Sequence, residues 1–183
     1  WSASPCAGLV MLSERARELI DETTSSSFAI DLKKWLQIME TYESGTHAYH
    51  ATMPTDALAR FREMMVETKA YGFETARESQ KELGRRVRAL FEEHGFKSVA
   101  AEGFRAPSVV VSFTDDPDIQ TGKRFAAEGL QIAAGVPLMC DEPADYKSFR
   151  IGLFGLDKLK NVDRTVDNLD HALKRVLAKT NTR

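Results

Sequence analysis

The chain has 183 residues, with 25 Lys and Arg against 27 Asp and Glu and a formal net charge of −2. No net basic field therefore draws it to a nucleic-acid backbone or an anionic membrane. Hydrophobic residues at 43% and charged residues at 28% exclude a disordered chain, and no apolar run approaches the roughly 18 residues of a membrane-spanning helix.

Two cysteines, Cys6 and Cys140, make no disulfide framework and point to a reducing, cytoplasmic compartment. Trp1 follows no initiator Met, basic n-region or apolar h-region, so nothing reads as a signal peptide. The opening WSASPCAGLVMLS looks like the middle of a fold, and the expectation is a fragment or a processed product.

In chain order, the first expected element is an apolar strand over Gly8–Leu12. Ser13 then predicts an N-cap for a helix carrying Ala16, Leu19 and Ile20, which the polar run Thr23–Ser27 ends. Within Phe28–Met39, the spacing of Leu32, Trp35, Leu36 and Met39 predicts a helix. A loop, YESGTHAYHATMP, follows. Its Pro54 suits the first turn of a helix that carries Leu58, Phe61 and Met65 and stops near Gly72.

A long helix from about Glu74 to Glu93 shows an apolar stripe of Ala76, Leu83, Val87, Leu90 and Phe91, with Gly95 as its terminator. Beyond it Phe96–Ala100 and Ser108–Thr114 read as strands, Asp118–Gly129 as a helix and Leu130–Ala134 as a strand. A loop from Gly135 to Lys147 leads to a strand over Phe149–Phe154. Asn161 is the expected cap of a last helix with Val162, Val166, Leu169, Leu173 and Val176 or Leu177 inward. The expected class is α/β, with an α+β C-terminal half and a domain boundary at Gly72 that separates 1–72 from 73–183.

Strong chemical signatures are absent: no Gly-rich phosphate loop, paired C-x-x-C, H-E-x-x-H or G-x-S-x-G occurs. His47 and His50 have metal-ligand spacing without a third ligand nearby and read as loop histidines. His94 and His171 read as polar surface residues on helices. Cys140 sits in a loop where a thiolate could act, but Asp141 and Glu142 beside it disfavour the charged form.

Three residues remain. In Tyr49-His50-Ala51-Thr52-Met53-Pro54, a hydroxyl just before a helix can cap it or share with its free N–H groups in binding a phosphate. In the strand Phe149-Arg150-Ile151-Gly152-Leu153, alternation turns Arg150 away from Phe149 and Ile151. There it can grip a carboxylate with two parallel hydrogen bonds or form a structural salt bridge.

Taken together, WSASPCAGLVMLSERA, YHATMP and FRIGLFGLDKLKNVDRTVDNLDHALKRVL resemble the C-terminal half of class V aminotransferases. These are the pyridoxal-phosphate enzymes of the alanine–glyoxylate and serine–glyoxylate group. The first segment resembles the stretch after the Schiff-base lysine, the second a Tyr-His-x-Thr-x-Pro segment, and the third an Arg-Ile-Gly strand, loop and helix.

The resemblance implies a fold-type I architecture, in which 1–72 ends the large cofactor-binding domain and 73–183 forms a small domain of mostly antiparallel sheet covered by helices. It implies a homodimer in which Tyr49 and Thr52 reach the phosphate of the neighbouring subunit's pyridoxal 5'-phosphate. It also implies that Arg150 binds the carboxylate of an amino acid or 2-oxo acid substrate. The Schiff-base lysine and the aspartate on the pyridine nitrogen would fall before Trp1, and no lysine in the chain takes that role. Two other readings are a non-catalytic assembly or binding module built on the same fold, and a desulfurase-like relative using Cys140.

Overall fold

The computed structural model describes residues 3–178, which form two compact units, 3–62 and 63–178. In the first unit, residues 3–13 have no regular structure. The expected strand over Gly8–Leu12 is therefore absent. A strand is held by a hydrogen-bonded neighbour, and these residues pair with none of the described ones. Leu9, Val10 and Met11 are instead exposed.

Helix α1 (Glu14–Glu22) begins as predicted, with Ser13 Oγ accepting the Ala16 N–H at 3.2 Å, and buries Ile20. Helix α2 (Leu32–Glu43) starts only at Leu32, because Asp31 Oδ1 accepts the Lys34 N–H at 3.0 Å and fixes the cap there. It buries Ile38, while the expected Met39 points outward. Arg17 joins the helices through Glu40, and the Lys33 ammonium donates to the Asp21 carbonyl at 2.8 Å.

The division between the units falls within α3 (Thr55–Tyr71). Pro54 precedes its first residue, and the Pro54 carbonyl accepts the Leu58 N–H at 3.0 Å. None of its side chains is fully buried.

The second unit is built on α4 (Phe73–Glu93). Leu83, Val87, Leu90 and Phe91 are buried as predicted. Gly95, at φ +85°, ends the helix, with the Phe96 N–H on Phe91 O at 2.9 Å and the Gly95 N–H on Glu92 O at 3.0 Å.

Strands β1 (Val109–Phe113), β2 (Ala133–Ala134) and β3 (Ser148–Gly152) form an antiparallel sheet in the order β1-β3-β2. Of the strand expected over Phe96–Ala100, only the bridge Ser98↔Ser112 forms. The helix expected over Asp118–Gly129 is two short pieces, α5 (Pro117–Gln120) and α6 (Lys123–Ala126). Gly122 separates them at φ +78°, a left-handed conformation that no right-handed helix continues through.

Helix α7 (Leu156–Lys160) was not foreseen, and α8 (Val162–Ala178) closes the described chain. The Asn161 side chain does not cap α8 as expected. It turns back to donate to Asp157 O at 2.8 Å, and only its carbonyl accepts from Thr165.

The core lies on the face of the sheet shown by Phe149 and Ile151, against α4, α8 and Phe125 of α6. Phe149 is fully buried, with the rings of Phe91, Phe96 and Phe125 at 5.4, 5.2 and 5.7 Å. The α/β class with a small antiparallel sheet covered by helices is as the sequence predicts. Among the described residues, no helix is long and apolar enough to cross a membrane.

Gly84 sets how closely α4 meets the following segment. A Cβ there would stand 2.3 Å from the Pro107 carbonyl oxygen and 2.7 Å from Pro107 Cα. Ala is the better helix former by about 1 kcal/mol, but backbone cannot yield as a side-chain tip does. Gly84→Ala is expected to destabilise the unit by a net amount of about 1–2 kcal/mol, read from the denaturant midpoint. A midpoint that rises would show that the segment carrying Pro107 is free to move away.

Candidate functional site

The loop between α2 and α3 is held by His50. Its ring lies 4.3 Å from that of Phe28 and 4.9 Å, edge-on, from that of Trp35. Its Nε2 hydrogen-bonds the Phe28 carbonyl at 3.1 Å, and Trp35 Nε1 donates to Ala29 O at 2.8 Å. The residue read as a loop histidine therefore pins the loop to the turn before α2. His47 is exposed beside it.

This anchoring presents Tyr49 and Thr52 together. Tyr49 Oη and Thr52 Oγ1 share a hydrogen bond of 3.2 Å, and both residues are exposed, Tyr49 to 77%. The Thr52 hydroxyl thus engages Tyr49 at the start of α3. The opening N–H groups of α3, like those at any helix N-terminus, lack an intrahelical acceptor. Two hydroxyls beside such an end can donate to an anionic oxygen.

Arg150 belongs to the second unit. On β3 it pairs with Val111 of β1 and Ala133 of β2, on the sheet face opposite buried Phe149 and Ile151, as strand alternation predicts. Its Nε donates to the Ala134 carbonyl at 2.8 Å, which fixes the side chain along β2. No carboxylate among the described residues forms an ion pair with it, and its two terminal amino groups have no partner there. A guanidinium held at Nε with its terminal edge open is a fork suited to a carboxylate.

The loop after β2 carries Cys140, exposed, with its Sγ on the Leu138 carbonyl at 3.5 Å. Met139 and Asp141 each have φ +60°, and the N–H groups of Leu138 and Cys140 converge on the Glu142 carboxylate, the latter at 2.8 Å. Burial pushes the Glu142 carboxyl up, but the N–H groups of Cys140, Glu142, Leu138 and Met139 together hold it below its ordinary value of 4.5. The thiol is therefore hydrogen-bonded to a backbone carbonyl while the Cys140 N–H holds the carboxylate, and among the described residues no cation is hydrogen-bonded to the sulfur.

Because the folded value is lowered, the contribution of this contact is present above pH 4.5 and is lost as pH falls through the folded value. The amide proton shifts of Leu138 and Cys140 should therefore titrate together with a midpoint below 4.5. A midpoint at or above 4.5 would mean that the carboxylate is not held by these groups.

The other histidines serve local contacts, His94 with Asp170 at 3.6 Å and His171 with the Asp167 carbonyl at 2.7 Å. Among the described residues, no group of three His, Cys, Asp or Glu side chains is gathered to hold a metal. One buried cation escaped the sequence reading: Arg88, within the apolar stripe of α4. It lies one turn after Gly84 and three residues before Phe91.

No protein-family model and no curated protein sequence matches the chain. Solved structures do. Alanine–glyoxylate aminotransferase from Nostoc sp. superposes with a TM-score of 0.61 at 21% identity, over 88% of this chain and 42% of that one. Ureidoglycine–glyoxylate aminotransferase from Bacillus subtilis gives 0.58 at 22%, over 88% and 41%. An aspartate aminotransferase of subgroup IV from Thermus thermophilus gives 0.58 at 18%, over 90% and 43%. At these identities the likeness establishes the fold, in agreement with the resemblance to aminotransferases drawn from the sequence. The chain spans about two fifths of the length of the structures it matches.

Proposed function

We propose that the chain is the C-terminal part of a pyridoxal-phosphate-dependent class V aminotransferase. The enzyme would move an amino group from an alanine- or serine-type amino acid to a 2-oxo acid such as glyoxylate or pyruvate. The observation that carries this reading is Arg150, fixed at Nε on the face of β3 opposite the core, with no carboxylate among the described residues paired to its terminal edge. The reading includes a cytoplasmic homodimer, a large domain ending near Gly72 and a small domain over 73–183.

The residues present fit the cofactor. Tyr49 Oη and Thr52 Oγ1, 3.2 Å apart at a helix N-terminus, are donors suited to its phosphate, and in this reading they serve the neighbouring subunit. When bound, pyridoxal 5'-phosphate supplies the electron sink for the reaction. The chain itself supplies anchoring and orientation. Tyr49 and Thr52 donate to the phosphate, His50 keeps their loop in place, and Arg150 grips the substrate carboxylate in two places and so limits how the amino acid can lie.

The test is cofactor affinity. Tyr49→Phe and Thr52→Val, each removing one hydroxyl from the loop, are expected to weaken pyridoxal-phosphate binding by roughly tenfold to a hundredfold, the worth of a hydrogen bond to a charged group. An absorbance titration of the dimeric protein reads this directly. Unchanged affinity in both variants would remove the loop from the cofactor site.

A further inference from the structure

A buried guanidinium ordinarily finds a carboxylate. Arg88 is 6% exposed and lies on α4 among Gly84, Val87 and Phe91. Its Nη2 donates to the Ala106 carbonyl at 3.0 Å and its Nη1 to the Gly84 carbonyl at 3.5 Å. Its Nε–H is buried without an acceptor. No carboxylate among the described residues is ion-paired with it.

Arg88 opens onto a cleft of about 540 Å3, lined also by Lys81, Arg85, Glu92, Arg105 and Pro107. Three of its cations have partners: Lys81 pairs with Glu78 and Arg85 with Glu82, both at 2.8 Å, and Arg105 with Glu92 at 3.1 Å. Of those carboxylates only Glu92 lines the cleft, so its wall holds four cations and one anion. Burial, then the nearby Arg105 charge, pushes the Arg88 guanidinium below its ordinary value against the pull of Glu92. The opposite wall is set in advance, because Pro107 lies hard against Gly84 and its carbonyl accepts from Gln80 Nε2 at 3.0 Å.

We propose that this cleft binds a small oxyanion, the carboxylate or phosphate group of a soluble molecule, with Arg88 at its floor and Arg85 and Arg105 at its rim. Neither Arg150 nor the Tyr49–Thr52 pair enters this inference. A planar fork already held by two carbonyls can turn its remaining donors to an anion at little cost in side-chain freedom. Each anion placed there would supply the counter-charge that the folded chain leaves out.

Calorimetric titration of the purified protein with sodium phosphate and, separately, sodium succinate at constant ionic strength tests the proposal. Saturable binding of at least one, with a dissociation constant on the order of millimolar, is expected, and the anion that saturates identifies the source of the oxyanion. Arg88→Met should weaken it at least about tenfold, and Arg105→Gln, at the partly exposed rim, by about threefold to tenfold. Absence of saturable binding by both anions overturns the proposal, as does an unchanged affinity in Arg88→Met. Should Arg88→Met fail to fold, an unchanged affinity in Arg105→Gln overturns it alone. Phosphate binding lost in Thr52→Val but kept in Arg88→Met would assign that anion to the α2–α3 loop and overturn the cleft as its site.

Discussion

Phe149→Ala is expected to lower the unfolding free energy by about 3–5 kcal/mol, the cost of truncating a fully buried aromatic residue. Phe149 meets three rings at 5.2–5.7 Å, and these belong to α4, to the turn after it and to α6. It also stands on β3, the central strand of the sheet. The cavity would therefore open where the helices and the sheet share one core, and few neighbours there can move to fill it. Against a total stability of about 5–15 kcal/mol, such a loss brings the second unit close to unfolding. If Phe149→Ala does not fold, Phe149→Leu is expected to cost about 1–2 kcal/mol by the same reasoning. Phe154→Ala, at a ring that is 59% exposed, should cost little. A denaturant melt in which Phe149→Ala and Phe154→Ala behave alike would contradict the core described here.

In the full-length enzyme of which the chain is proposed to be a part, Arg150→Lys is expected to reduce kcat/KM for the amino acid by roughly tenfold to a thousandfold while leaving the thermal melt nearly unchanged. The two halves of this expectation have separate grounds. The melt holds because Arg150 lies opposite the core face and carries no ion pair among the described residues. Its one hydrogen bond, to Ala134 O, is worth about 1 kcal/mol. In the proposed role of Arg150, activity falls because Lys offers a point charge where a planar fork would meet the substrate carboxylate. A collapsed melt, with kcat/KM retained by the enzyme that remains folded, would make Arg150 a structural residue.

Much of this arrangement is legible in the sequence where local chemistry decides it. Ser13 and Gly95 mark helix ends by chemistry that acts within a turn. The apolar spacing of α4 and α8 shows which face each buries, and alternation along β3 separates Arg150 from Phe149 and Ile151. What depends on distant partners is not legible in this way. Gly8–Leu12 has the composition of a strand, but composition names no neighbour to complete its ladder. Periodicity over 118–129 is helical, yet Gly122 adopts a left-handed conformation against Ile132, whose Cγ1 would be 2.8 Å from a Cβ.

The same limit applies to the candidate site. The motif gives Tyr49 and Thr52, but His50 reaches back 22 residues to Phe28 to hold their loop, and no local pattern encodes that contact. Arg88 is not singled out by the sequence, because a charged residue beside an apolar stripe ordinarily reaches solvent. Its missing counter-charge appears only once Ala106 and Pro107 are folded against α4.

Amino transfer is read most directly from product stoichiometry. The full-length enzyme of which the chain is proposed to be the C-terminal part, supplied with pyridoxal 5'-phosphate, alanine and glyoxylate, is predicted to form pyruvate and glycine in equal amounts. Serine in place of alanine should likewise give hydroxypyruvate and glycine. Bound cofactor with no glycine formed from either donor, and no alanine formed from serine with pyruvate as acceptor, would contradict amino transfer.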